Sequence, residues 1–143
     1  MNGLVLDTNV VVSSALFGGS PRELAGLIRD AKVPLFSSAA LVEELRQVLS
    51  RPKFQQKISR AGESVDSIVD LYVVAVTLVD PVLVPGVAPD PKDDIVIATA
   101  LGAEAEFLVT GDKELLVIGS YRGVQIVSVS EAIRIIRNQK QSA

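Results

Sequence analysis

Two acidic residues follow apolar runs that are typical of buried strands. Asp7 closes the run from Gly3 to Asp7, and Asp112 comes shortly after the run from Phe107 to Thr110. A carboxylate directly after a buried strand loses solvation energy unless it meets a cation or a hydrogen-bond partner. Each residue has an alternative role as the cap of the turn or helix that follows it. The pattern favours a shared polar site at the two strand ends.

Two further acids stand at the start of a predicted helix. Asp93 or Asp94 opens a segment in which Ile97, Ala98 and Leu101 lie along one side. Asp93 is the natural N-cap, which leaves Asp94 free to turn towards the strand ends. Routine capping is the alternative role for Asp94. The spacing therefore predicts Asp94 as a site residue and Asp93 as a supporting residue.

Glu44 borders the apolar face of a helix that is predicted to end at about Leu49. At about 100° per residue, Glu44 lies beside Leu41 and Val48, whereas Glu43 points almost opposite, into water. An acid at such a border either pairs with a basic side chain or contributes a carboxylate to a polar site. Glu44 is thus the fourth candidate, together with Asp7, Asp94 and Asp112.

The composition restricts the chemistry that these acids can perform. The chain has no cysteine and no histidine, which excludes disulfides, thiolate or histidine catalysis and a structural zinc site. Clustered carboxylates suit hard cations such as Mg²⁺ or Mn²⁺. Such an ion relieves the mutual repulsion of the acids, acidifies water and stabilises charge at phosphorus. The pattern is therefore typical of a site that hydrolyses phosphodiester bonds.

Strands alternate with helices throughout the predicted secondary structure. This alternation predicts an α/β fold with a central parallel sheet and helices on both faces, in which ligands bind at the carboxyl ends of the strands. The 143 residues are expected to form a single domain, with a core at about 3–137 and a polar C-terminal tail. No apolar run is long enough to span a membrane, and a cytoplasmic protein is expected. The predicted strands are Gly3 to Asp7, Val33 to Phe36, Val79 to Val84, Phe107 to Thr110 and Val124 to Val127, and the prolines from Pro85 to Pro91 predict a loop.

Basic residues are concentrated in one stretch although the net charge is −3. The overall charge argues mildly against a nucleic-acid partner. The stretch without acids is either a solvated helical face or an arm that contacts phosphates beside the acidic site. Its basic residues are Arg46, Arg51, Lys53, Lys57 and Arg60.

A second unusual stretch, Leu71 to Leu78, is apolar nearly all round a predicted helix. Such a segment is either deeply buried or one half of a dimer interface. The sequence therefore suggests a homodimer.

Four motifs in order resemble those of PIN-domain proteins, and of the VapC-like toxin group in particular. Together they extend over about residues 3–130. The motifs are Val5-Leu6-Asp7-Thr8-Asn9-Val10, Ala40-Leu41-Val42-Glu43-Glu44-Leu45, Pro91-Lys92-Asp93-Asp94-Ile95-Val96-Ile97-Ala98-Thr99-Ala100 and Leu108-Val109-Thr110-Gly111-Asp112.

The resemblance implies a three-layer α/β/α sandwich and an endoribonuclease that uses Mg²⁺ or Mn²⁺. It assigns the acidic quartet to Asp7, Glu44, Asp94 and Asp112, and Asp93 could share or take the role of Asp94. It also assigns Asn9 to orienting the first Asp and Thr110 to a hydroxyl near the site. Many members of the family are toxins that a cognate antitoxin neutralises, and many dimerise.

Two other functions remain as alternatives. One is a non-catalytic, degenerate PIN-type module that only binds RNA or a protein, which the presence of all four acids disfavours. The other is a phosphatase that uses Asp7 as its nucleophile. The haloacid-dehalogenase pattern requires a second Asp two residues after the first, and Asn9 occupies that position.

Overall fold

A computed structural model describes residues 1–84, 86 and 91–142, and the side chains of all these except 91, 92 and 140–142. The strands are β1 (Leu4–Leu6), β2 (Leu35–Ser37), β3 (Thr77–Leu78), β4 (Phe107–Val109), β5 (Ser120–Tyr121) and β6 (Val124–Val127). The helices are α1 (Thr8–Leu16), α2 (Gly19–Asp30), α3 (Ala39–Leu49), α4 (Pro52–Arg60), α5 (Val65–Ala75), α6 (Pro91–Gly102), α7 (Lys113–Ile118) and α8 (Val129–Ser142).

The described strands form one sheet in the order β3-β2-β1-β4-β6-β5. The pairings from β3 to β6 are all parallel, and only the edge strand β5 runs antiparallel to its neighbour. Consequently β1 and β4, the strands that precede Asp7 and Asp112, are neighbours whose carboxyl ends meet at the same edge. The predicted α/β fold with a central parallel sheet is confirmed.

Side chains alternate between two apolar cores on the two faces of the sheet. In β1, Leu4 and Leu6 belong to one core and Val5 to the other, because successive strand residues point to opposite faces. The first core is closed mainly by α1, α2, α3, α5 and α8, and the second mainly by α6 and α7. The molecule is therefore the expected three-layer sandwich, and its central strands are apolar on both faces.

The prediction of a strand from Val79 to Val84 is wrong. The pairing residues are Thr77 and Leu78, and the chain then leaves the sheet to pack on α6, where the Val82 N–H donates to the Ala98 carbonyl at 2.9 Å. A Cβ on Gly102 would lie 2.0 Å from the Asp80 carbonyl oxygen, so this close approach requires glycine. In the predicted loop from Pro85 to Pro91, residues 85 and 87–90 lie outside the described residues.

Two helices depart from the expectations of the sequence, because α1 was not predicted and α8 extends into the polar tail. The segment after Asp7 forms α1, and α8 continues through the polar tail to Ser142. Strand β6, which pairs with β4, and α8, which packs on α2, join the same sheet and core as the earlier elements. None of the helices in the described part of the chain combines the length and the apolar composition needed to cross a membrane.

Candidate metal centre at the carboxyl edge of the sheet

Asp7 is the most buried acid of the site, with 9% of its surface exposed. Its backbone N–H donates to the Val109 carbonyl at 2.9 Å, which continues the pairing of β1 with β4. Its side chain caps α1 by accepting from the Thr8 N–H at 2.8 Å. The other carboxylate oxygen accepts from the Thr110 hydroxyl at 2.8 Å. The capping role and the site role thus coincide in one residue.

Burial raises the pKa of the Asp7 carboxyl above its ordinary value, because a low-dielectric surrounding disfavours the charged form. The hydrogen bonds from Thr110 and Thr8 act in the opposite direction. The negative charges of Glu44 and Asp112 add to the increase in pKa. The charged form of the Asp7 carboxyl is therefore disfavoured at this position, and a nearby cation would stabilise it.

Two threonine hydroxyls connect Asp7 to the other acids. The Thr8 hydroxyl donates to Glu44 at 2.8 Å, which links the first turn of α1 to α3. Thr110 accepts from the Asp112 N–H at 3.0 Å while its own hydrogen is donated to Asp7. Thr110 was expected near the site from the family resemblance, whereas Thr8 was missed.

The start of α7 adds another acid. The Asp112 carboxylate accepts from the Glu114 N–H at 2.9 Å and so caps the helix. Asp93, Asp112 and Glu114 each offer a carboxylate oxygen, and these three oxygens all lie within 4.8 Å of one another. Glu114 was not predicted, because an acid in the first turn of a helix is ordinarily explained by the helix dipole.

The two adjacent acids of α6 have different surroundings. Asp93 belongs to the group with Asp112 and Glu114. Asp94 accepts from the Gly86 N–H at 3.2 Å and lines a small cavity with Leu83 and Ile95. Among the described residues, Asp93 is therefore the acid of α6 that lies with Asp112 and Glu114.

Helix α3 presents its two glutamates as the helical periodicity predicts. Glu44 is half-buried and Glu43 is exposed. The position of α3 is fixed at its start, where the Ser38 and Thr99 hydroxyls lie 2.8 Å apart. Since the Thr99 hydrogen is donated to the Ile95 carbonyl, Ser38 is the donor in this pair. This buried contact ties the helix of Glu44 to the helix of Asp93.

Asn9 is the polar residue that the resemblance expects to orient Asp7. It is exposed, and the hydrogen bonds described for the Asp7 side chain come from Thr8 and Thr110. Two threonines therefore hold the Asp7 side chain in the described hydrogen bonds, and the orienting role that the resemblance assigned to Asn9 stays a prediction.

A cleft of about 340 Å³ adjoins the acids on the side of α3. Its walls combine both glutamates of α3 with a basic residue at the start of α4, so a polyanion entering the cleft meets a positive charge beside the acids. The lining residues are Ala40, Glu43, Glu44, Gln47, Val48, Arg51 and Ile95.

The predicted basic residues are in different environments. Arg46 is ion-paired with Asp66, and this contact raises the pKa of the Arg46 guanidinium. Arg51 lines the cleft. Lys53 and Lys57 lie over aromatic rings, and Arg60 is exposed. The Arg46 guanidinium is thus already paired with an acid of the same chain.

The family model of the PIN domain matches residues 3–114, which include all the acids described above. The chain belongs to the PIN-domain family. A search of curated proteins and a search of solved structures each found no match. Membership of the family indicates a nuclease-type function, and the acids of the PIN domain form a group that is able to hold a metal ion.

Proposed function

We propose that this PIN domain is an endoribonuclease that depends on Mg²⁺ or Mn²⁺ and hydrolyses RNA phosphodiester bonds. The observation that carries the proposal is the convergence of Asp93, Asp112 and Glu114, whose carboxylate oxygens lie within 4.8 Å of one another. Like charges so close repel strongly unless a cation or a proton lies between them. Oxygen ligands without histidine or cysteine fit a hard divalent ion.

The metal ligands in this proposal are Asp7, Asp93 and Asp112, with Glu44 and Glu114 contributing directly or through water. A divalent ion at this position would supply Lewis-acid stabilisation of charge at phosphorus and would make a water molecule more acidic. Asp93 replaces Asp94 in the quartet because Asp93 is the acid that meets Asp112 and Glu114. Asp94 is proposed as a residue that holds Gly86 against α6.

The threonines position these ligands. Thr110 and the Thr8 N–H each bind one oxygen of Asp7, so the Asp7 side chain has a fixed orientation. The Thr8 hydroxyl fixes Glu44 in the same way. Fixed carboxylates need little reorganisation during the reaction, which is the main contribution that a protein makes to electrostatic catalysis.

The direct test is incubation with varied RNAs in Mn²⁺ and in EDTA, comparing the wild type with Asp7→Asn. Cleavage is expected with Mn²⁺ only, and Asp7→Asn should abolish it while leaving the circular dichroism spectrum unchanged. Asp30→Asn, at an exposed position on α2, is the matched control and should cleave normally. Full activity of Asp7→Asn would remove Asp7 from the site.

Two outcomes would instead support one of the alternative functions. Absence of Mn²⁺ binding in calorimetry, together with RNA binding, would indicate a degenerate module. A trapped phosphorylated Asp7 would indicate a phosphatase.

We further propose that the chain is a homodimer and the toxin of a toxin–antitoxin pair. Burial deep in the monomer is excluded for the stretch from Leu71 to Leu78, since Leu71 is 66% exposed and Val74 86% exposed. Apolar surface of this kind is typical of a protein interface. Light scattering of the wild type and Val74→Lys tests the dimer, which should be lost in the variant. Growth arrest on expression, present for the wild type and absent for Asp7→Asn, tests the toxin role.

A further inference from the structure

An exposed cluster of aromatic and basic side chains lies at the far end of α1. It consists of Phe17, Lys53, Phe54 and Lys57, and is called the aromatic–basic patch below. The two rings meet edge to face with centroids 6.1 Å apart and an interplanar angle of 72°. The Lys57 ammonium lies 4.3 Å from the centroid of Phe17, and the Lys53 ammonium 5.0 Å from that of Phe54. Each ring therefore carries a cation.

Packing of the monomer accounts for one ring of the patch but not for the other. Phe54 is half-buried and packs against the first core beside the buried Ile58, so it anchors α4. Phe17 caps the end of α1 through its backbone alone, and 55% of its surface is exposed. A large apolar side chain at this position gains little from burial, whereas its exposed surface is available to a ligand.

Two segments of the chain connect the patch to the acidic site. Helix α1 begins at Asp7 and ends at Phe17, a length of about 13 Å for nine residues. Helix α4 begins after Arg51, which lines the cleft with Glu44, and the Phe54 N–H donates to the Arg51 carbonyl. A nucleic-acid strand with one phosphate at the acids would reach the patch after about four stacked nucleotides.

We propose that the aromatic–basic patch binds the unpaired part of a single-stranded RNA substrate, with a base stacked on Phe17 and phosphates contacted by Lys53 and Lys57. Exposed aromatic rings beside cations are the features by which proteins bind single strands without reading their sequence. The bases of a duplex already stack on one another, so their faces are closed to such a ring. Positive charge at this distance also offsets the repulsion between RNA and the acids. The proposal rests on the proposed function and assigns to the aromatic–basic patch the part of the substrate that lies beyond the acids.

Binding without cleavage tests the proposal. Fluorescence anisotropy in EDTA would measure the Kd of a labelled 12-nucleotide single-stranded RNA for the wild type and for Phe17→Leu, which keeps an apolar side chain but removes the ring. The loss of one stacked base should raise Kd about five- to hundredfold. The Kd for the same RNA in a duplex should change by less than about twofold.

A second aromatic–cation pair in the chain supplies the matched control. The Arg122 guanidinium lies 5.3 Å from the ring centroid of Tyr121, on the edge strand β5. Tyr121→Leu should bind single-stranded RNA as the wild type does. The proposal would be overturned if Phe17→Leu bound single-stranded RNA with the Kd of the wild type, or if Tyr121→Leu raised that Kd as much as Phe17→Leu. The first result would instead favour a protein as the ligand of the patch.

Failure of this proposal and failure of the proposed function have different signatures. If the chain is not a nuclease, Mn²⁺ produces no cleavage, whatever the effect of Phe17→Leu on Kd. If the patch does not bind RNA, Phe17→Leu cleaves with an unchanged KM while Asp7→Asn remains inactive. Thermal unfolding of Phe17→Leu close to that of the wild type verifies that the variant is folded.

Discussion

Helix α1 has an acidic, buried end and an aromatic, basic, exposed end. At its start, Asp7 is held between Thr8 and Thr110, and burial raises the pKa of its carboxyl. At its other end, Phe17 is more than half exposed, and its ring meets the Phe54 ring and the flexible side chain of Lys57. The first end is preorganised by hydrogen bonds and the second is adaptable. This difference fits the two proposed roles, the reaction at the acids and the binding of RNA at the patch. Substitutions at the first end should therefore lower activity, and substitutions at the second end should weaken RNA binding.

The largest expected effect separates the adjacent acids of α6. Asp93→Asn should lower kcat/KM for RNA by more than about a hundredfold at fixed Mn²⁺, because removing even an outer partner of a metal ligand costs about 10–100-fold. Asp94→Asn, the matched control one residue away, should stay within about threefold of the wild type. Single-turnover cleavage of one labelled RNA measures both variants. If Asp94→Asn were the inactive variant, the assignment of the third carboxylate would revert to Asp94.

The next effect concerns the hydroxyl that orients Asp7. Thr110→Val has nearly the same shape but no longer donates to Asp7, so Mn²⁺ affinity or activity should fall about 10–100-fold. Thr110→Ser retains the hydroxyl and should recover most of the loss. Isothermal calorimetry with Mn²⁺ gives the affinities, and equal binding by Thr110→Val and the wild type would reduce Thr110 to a packing residue.

Much of the acidic site could be predicted because its residues follow regular elements. Asp7 directly follows β1 and Asp112 comes three residues after the end of β4, and the structure places these strands side by side. The periodicity of α3 distinguishes the half-buried Glu44 from the exposed Glu43. Neighbouring parallel strands bring their ends together irrespective of the intervening loops, so this part of the geometry depends little on tertiary detail.

The sequence leaves both Asp93 and Asp94 open as site residues, and the proposed choice of Asp93 rests on the three-dimensional structure. The residues that follow Asp93 at helical spacing are Val96, Ile97 and Ala100, and those that follow Asp94 are Ile97, Ala98 and Leu101. Both sets are apolar because α6 packs against the sheet and against the segment that contains Val82. When a helix is apolar nearly all round, its sequence does not specify which side faces the site.

Local sequence propensities also failed to predict α1 and the position of β3. The valine-rich α1 has few strong helix formers and no clear polar face, and it is held by burial against the first core. In the predicted strand from Val79 to Val84, the β-branched residues favour pairing. The Val79 N–H still donates to the Ser37 carbonyl of β2, but Val82 then packs on α6. In both segments tertiary packing overrides the local preference.

A smaller effect should appear in the stability of the metal-free protein. The raised pKa of Asp7 means that its charged form costs folding energy, fully so above the folded-state pKa. Asp7→Asn should therefore raise Tm by a few degrees at pH 7. This gain should shrink as the pH falls towards 3.8, the ordinary pKa of an aspartate carboxyl, because below that pH Asp7 is protonated in both the folded and the unfolded protein. Calorimetric scans at pH 7 and near pH 4 in EDTA measure the difference, and a gain independent of pH would contradict this origin.

The smallest effect compares a lysine of the aromatic–basic patch with a basic residue of α3. Lys57→Gln should weaken single-stranded RNA binding about two- to fivefold, the size of one exposed ion pair, and should reduce the slope of log Kd against log salt by about 0.7. Arg46→Gln removes the same charge, but Arg46 is already paired with Asp66, so both quantities should stay close to the wild type. Titrations at several salt concentrations separate local phosphate contact from net charge. Equal slopes in the two variants would mean that RNA responds only to the overall charge, and the contrast between the two ends of α1 would then be lost.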